Sequence, residues 1–274
     1  MWIDMIPFLI GIVLFFVLSA AVYLFVLVRP RGKAIDRALL CDYAHRGLHG
    51  EGVPENSLAA FARAVEAGYG IELDVQLSRD GTVMVFHDAT LTRMTGCDKK
   101  VNELNVNELQ ALSLAGTEQT VPTFAEVLTL VGGKVPLLVE LKGETTDVSL
   151  CKKVASLLSD YDGAYCIESF NPLLVHGMKK YLPDACYGQL YTNVCRDKNK
   201  TTLLHALLTS MALNVLSRPD FIAYNKQDRD ALPVKITTRL FGAPRFVWTV
   251  RGREEQKNAH MQGECAIFED VIKD

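Results

Sequence analysis

The sequence predicts an α/β fold: a (β/α)8 barrel of the TIM type, with a small insertion after its third strand-like run and one transmembrane helix ahead of it. Three observations carry this. From residue 43 to residue 268, short apolar runs of strand length alternate with amphipathic runs of helical period. Residues 39–274 come close to the roughly 250 residues that one such barrel takes. Residues 6–28 contain no charged side chain.

The N-terminal run comes first. As a helix, Ile6 to Val28 would be about 34 Å long, enough to cross a hydrocarbon core of about 30 Å. A signal peptide would want a basic start, a shorter apolar core and a small-residue cleavage site. Here Asp4 is the only charged side chain before the run, and Arg29-Pro30-Arg31 follows it at once. The expectation is a retained single span with a basic linker over residues 1–38 and a barrel domain over residues 39–274. Arg29, Arg31, Lys33 and Arg37 all follow the span. The positive-inside rule then makes this a single-pass protein of the cell membrane with its barrel in the cytoplasm. The cysteine usage agrees: seven residues, an odd number, with no CxxC pair, read as reduced core positions. A net charge of −3 and a pI of 6.1 lack the basic stripe of a nucleic-acid binder, and no such partner is expected.

The barrel elements follow in order. Tyr43–Ala44 is a short strand. Residues 57–68 read as a helix, with Asn56 or Ser57 able to cap it and Gly68 to end it. Strand-like runs follow at residues 70–77, 83–87, 136–141, 164–169, 185–190, 220–224, 245–250 and 264–268. Helical runs fit around residues 123–130, 149–159, 173–181, 202–214, 229–240 and 253–261. Between Asp74 and Val83 there is no room for a helix, and Ser78-Arg79-Asp80-Gly81 signals a turn. That leaves more strand-like runs than a barrel needs, so one must be a hairpin arm or a terminal extra. Residues 89–121 are polar and helix-like and read as an inserted cap.

The chemistry concentrates at strand ends. Glu72 and Asp74 stand at i and i+2 on one face of a strand, with Ile71, Leu73 and Val75 on the other. Two inward carboxylates are costly unless a cation neutralises them. Glu140 and Lys142 repeat the spacing at the end of an apolar run, although alone they would read equally well as a local ion pair. Three converging carboxylates suit one divalent hard cation, Mg²⁺ or Ca²⁺, better than zinc. His45 and His87 each end a strand-like run, where barrel active sites are built, and suit a general acid and base. Arg46 offers a planar fork for a phosphate anion. His49, His176, His205 and His260 carry no such signal.

With these motifs in order, the chain resembles the glycerophosphodiester phosphodiesterase family. HRG at 45–47, PEN at 54–56, E-x-D at 72–74, DG at 80–81 and VFHD at 85–88 carry the resemblance. VELK at 139–142, ESF at 168–170 and WTV at 248–250 extend it. The resemblance implies a barrel that hydrolyses glycerophosphodiesters to sn-glycerol 3-phosphate and an alcohol, with a bound divalent cation. It implies that His45 and His87 are the acid/base pair and that Glu72, Asp74 and Glu140 are metal ligands. Arg46 and Lys142 would hold phosphate, Glu55 would support the metal site, and Phe170 and Trp248 would line the pocket mouth. The departures lie late in the chain, in Arg251, in AIFED at 266–270 and in residues 184–224. A second substrate class is a membrane lysophospholipid, cleaved as by a lysophospholipase D. A third reading, a non-catalytic membrane-tethered binding protein, predicts lost catalytic positions, and none is lost.

Overall fold

The structure, a computed structural model, describes residues 2–143, 146–199 and 201–270. Among the described residues, nine strands form one sheet: β1 (Tyr43–Ala44), β2 (Gly70–Leu77), β3 (Val83–Val85), β4 (Leu137–Leu141), β5 (Tyr165–Ser169), β6 (Cys186–Tyr191), β7 (Phe221–Asn225), β8 (Arg245–Arg251) and β9 (Cys265–Glu269). Their order is β1-β9-β8-β7-β6-β5-β4-β2-β3, and β1 also pairs with β2. That pairing closes eight parallel strands into the predicted barrel. The surplus run is the hairpin arm: β3 hangs antiparallel on β2, with Val75 opposite Val85.

Alternation along each strand separates two cores. Ile71, Leu73 and Val75 pack outward with Phe61 and Ala64 of the helix Leu58–Ala67 and with Phe124 and Val127 of the helix Phe124–Val131. A second cluster, containing Tyr43, Leu138, Cys166, Phe221, Phe246 and Ile267, fills the barrel axis. Each buried aromatic there is worth about 1.5–3 kcal/mol. Gly188 makes room for one of them: a Cβ at this position would lie 2.2 Å from the Phe221 ring. The linker after the apolar segment joins this floor. Leu39 is buried in it, and its carbonyl accepts a 2.8 Å hydrogen bond from the Tyr43 hydroxyl.

Helix ends follow sequence chemistry. Ser57 Oγ accepts from Ala60 N, and Gly68 closes that helix at φ 69°. Thr123 and Glu126 form a reciprocal capping box. Two expected helices are shorter than the pattern suggested. The run at 202–214 divides into Leu203–Thr209 and Asn214–Ser217. Between them Met211 takes φ 53° and buries its side chain. The run at 229–240 becomes regular only at Leu232, with Pro233 in its first turn, where a missing N–H costs nothing.

Residues 89–121 form short helices, Thr92–Thr95 and Val106–Gln110, around an apolar cluster of their own that includes Met84, Phe86, Leu91 and Leu109. At the other end of the chain, Met5–Leu27 is long and apolar enough to cross a membrane. Its last turns lean on the barrel wall: Tyr23 donates to Ser210 O at 2.7 Å, and Phe25 packs edge-on to Phe241.

Candidate active site

The inward positions change character along the barrel axis. Below the strand ends they are apolar; at the C-terminal ends they are Glu72, Asp74, Glu140, Glu168 and Glu269. Register brings them together: Asp74 lies beside Glu140 across β2–β4, and Glu140 beside Glu168 across β4–β5. The carboxylate oxygens of Glu72, Asp74 and Glu140 all lie within 4.8 Å of one another and are buried. Burial, then the neighbouring Asp74 and Glu140 charges, pushes the Glu72 carboxyl well above its usual range. Burial also raises Glu140, to about 7, against the pull of Lys142. Glu168 is raised by burial and by Glu140, and its Oε2 has no hydrogen-bond partner among the described residues.

Two cations balance part of this charge. Lys142 Nζ stands 2.6 Å from Glu140 Oε1 and 2.8 Å from Asp74 Oδ1, the second contact being an ion pair without hydrogen-bond geometry. Burial opposes the Asp74 charge, but Lys142, His87 and Arg46 outweigh it and hold that carboxyl below its ordinary range. Arg46 Nη1 binds Glu55 Oε1 at 2.7 Å, and its Nε lies 3.7 Å from Asp74. Both residues expected to hold phosphate are therefore engaged with carboxylates. Arg46 also contributes its backbone. At φ 57° its N–H reaches Glu72 Oε2 at 2.8 Å. Gly47 continues the turn at φ 80°, where a Cβ would meet Ala60 and Phe61 at 2.9 Å.

Each histidine has one ring nitrogen fixed by a carboxylate. His45 Nδ1 lies 2.6 Å from Glu269 Oε1, and its Nε2 lies 3.9 Å from Glu72 Oε2. His87 Nδ1 lies 2.7 Å from Asp88 Oδ1. With Nδ1–H donated to the carboxylate, Nε2 is left to take or give a proton. Burial lowers His87 below its ordinary value. Phe170 and Trp248 meet edge to face, with ring centroids 5.7 Å apart, and the Trp248 indole N–H is buried without a partner among the described residues.

The structure thus groups Glu72, Asp74, Glu140, Lys142, Arg46, His45 and His87, and pairs Phe170 with Trp248. Glu55 stands apart from the three carboxylates, bridging Arg46 and Arg93. Sequence reasoning passed over several participants. Asn56 donates to Asp74 Oδ2 at 2.8 Å, and its place in the PEN turn was the available signal. Glu168 and Glu269 were signalled by carboxylates ending apolar runs. Arg93, which binds Asp88 at 2.5 Å, had no local signal.

Three buried, all-oxygen carboxylates within 4.8 Å, two of them pushed toward protonation, are a set that a hard cation would relieve. The residues fit such a group.

The sequence from residue 45 to residue 273 matches the model of the glycerophosphoryl diester phosphodiesterase family. The chain belongs to that family. It is 38% identical over 253 residues to YhdW of Bacillus subtilis, a match covering 84% of this chain and 96% of that one. It is 37% identical over 160 residues to a glycerophosphodiester phosphodiesterase of Caldanaerobacter subterraneus subsp. tengcongensis, covering 54% of this chain and 65% of that relative. The fold superposes on a phosphodiesterase of Oleispira antarctica, solved with the product sn-glycerol 3-phosphate, at TM-score 0.69 and 24% identity, covering 84% and 92% of the two chains.

Proposed function

We propose that this chain is a glycerophosphodiester phosphodiesterase that hydrolyses its substrate to sn-glycerol 3-phosphate and an alcohol. The observation that carries the reading is the pair of carboxylate-held histidines flanking a buried acidic cluster. One histidine Nε2 takes the proton of the oxygen that bonds to phosphorus, which belongs to water or to the glycerol 2-hydroxyl; in the second case the cyclic phosphate so formed is opened by water in a further step. The bond from phosphorus to the leaving alcohol breaks, and the other histidine delivers a proton to that oxygen. Glu269 and Asp88 hold the two rings in place. Arg46 and Lys142 face the phosphoryl oxygens and stabilise their growing charge. Phe170 and Trp248 wall the entrance and exclude water. Glu72, Asp74 and Glu140 would hold Mg²⁺ or Ca²⁺, which would supply further charge stabilisation at the phosphoryl group.

The run Met5–Leu27 is read as a single membrane anchor, with the barrel on the cytoplasmic side because its flanking basic residues all follow it. Protease added outside intact cells should leave the barrel uncut; rapid digestion would reverse the orientation.

A second substrate reading has an observation of its own. Leu203 and Leu232, on the segments leaving β6 and β7, are 78% and 68% exposed, and Phe170 is 38% exposed. These apolar side chains rise at the same end of the barrel as the active site. That favours a lysophospholipid drawn from the bilayer. Comparing turnover of glycerophosphocholine and lysophosphatidylcholine decides between them. A large preference for the water-soluble diester would remove the lysophospholipid reading, and no turnover of either would remove both.

A further inference from the structure

The structure carries a second opening, at the other end of the barrel. A cavity of about 750 Å³ is lined by Arg29, Arg31, Lys179, Lys180 and Arg218, with Phe25 at its edge. Lys179 and Lys180 precede β6 and Arg218 precedes β7. The cavity therefore lies at the N-terminal strand ends, whereas His45 and His87 stand at the C-terminal ends.

Its walls are built rather than draped. Arg31 N donates to Pro219 O at 2.8 Å, Asn214 Nδ2 to Val28 O at 3.3 Å, and Arg218 Nη1 to Arg29 O at 3.1 Å. The chain leaving the apolar run is thus laced to the segment that enters β7.

Its charge is one-sided. Among the described residues no carboxylate lines it. Asp220 is held by Arg31 through contacts of 2.7 Å and 2.6 Å. Lys179 is tied to the Ser217 and Arg218 carbonyls, each at 2.6 Å. Its ammonium is lowered to about 8, by burial first and then by Arg31. Arg29, Lys180 and Arg218 have no carboxylate partner among the described residues. Unpaired cations converging on a cavity attract an anion, and phosphate suits arginine forks.

The neighbourhood selects the source of that anion. Phe25 belongs to the apolar run Met5–Leu27, and Arg29 comes two residues after it. If that run is in the bilayer, the cavity opens at headgroup depth. We propose that this pocket binds the phosphate headgroup of an anionic membrane phospholipid, fixing how the barrel sits on the bilayer. The proposal rests on Met5–Leu27 being a membrane span and not on the reaction catalysed.

The test uses the full-length protein in a neutral detergent. Native mass spectrometry follows retention of dioleoyl phosphatidic acid, which has no diester to cleave, beside phosphatidylcholine and inorganic phosphate. Phosphatidic acid should be retained, and phosphatidylcholine should not. Each basic side chain at a membrane surface contributes about fivefold, so Arg29→Ala with Lys180→Ala should weaken retention by about 25-fold. Arg37→Ala, an exposed charge outside the cavity, should leave it unchanged, and so should the double variant leave turnover of a soluble diester. In the unaltered protein, raising salt from about 50 to about 500 mM should weaken the preference for the anionic lipid. Equal retention of both lipids, salt-independent binding, or the same loss in Arg37→Ala would overturn the proposal. Saturation by inorganic phosphate alone, with the same dependence on Arg29 and Lys180, would overturn the lipid assignment.

Discussion

His45 and Glu269 lie 224 positions apart, yet their Nδ1 and Oε1 atoms are 2.6 Å from each other. They meet because β1 and β9 pair directly, with Ala44 beside Phe268. The seam that closes the barrel thereby fixes one of the two candidate catalytic rings. The hydrogen bond from His45, more than any other influence, holds the Glu269 carboxyl down at about 2.

Replacing Glu269 by Gln should therefore have two effects. Turnover should fall by up to about 10²–10⁴-fold, since the ring loses its orienting anion. Acid stability should change as well. A carboxyl whose folded value lies below its ordinary value near 4.5 adds stability above that value. The contribution is lost as pH falls toward the folded value of about 2. The Gln variant should show a flatter stability profile over that window by acid titration monitored with circular dichroism. A profile unchanged from the parent would contradict the pairing.

The acidic cluster predicts metal binding that can be read without turnover. Calorimetric titration of chelator-treated protein with Mg²⁺ or Ca²⁺ should give about one site, and Asp74→Asn or Glu140→Gln should remove it. Heat release that persists in both variants would place the ion elsewhere.

His45→Ala and His87→Ala should each lower kcat by about 10²–10⁴-fold, roughly 3–5 kcal/mol of barrier. A nitrophenyl leaving group needs no proton. It should rescue the variant lacking the acid and not the one lacking the base, which assigns the roles. Near-parental kcat for both on a natural diester would dismiss the two-histidine mechanism.

Gly188→Ala probes the barrel floor. The new methyl would meet the Phe221 ring at 2.2 Å, and overpacking of this kind costs about 1–3 kcal/mol. Urea denaturation should register the loss; an unchanged midpoint would mean that the ring has room to move.

The fold was legible because its signals are local and periodic. The alternation of Ile71, Glu72, Leu73, Asp74 and Val75 already separates the helix-facing side from the axis. Capping at Ser57 and Thr123 fixed helix starts. What the pattern missed depends on tertiary packing: Met211 breaks a helix by taking a buried place, where its sulfur meets the Thr237 hydroxyl. Of the site, the residues within one strand or turn were legible. The pairing of Glu269 with His45 and the role of Arg93 were not, because they come from closure of the barrel and from the 89–121 segment folding back on Glu55 and Asp88.

Product release tests most directly whether this barrel cleaves glycerophosphodiesters with the grouped residues. Purified full-length protein should release sn-glycerol 3-phosphate and choline from glycerophosphocholine in equal amounts, measured by coupled enzymatic assay. The release should vanish in His45→Ala and His87→Ala proteins that remain folded. Phosphocholine and glycerol as the products, or full activity in either histidine variant, would contradict the account.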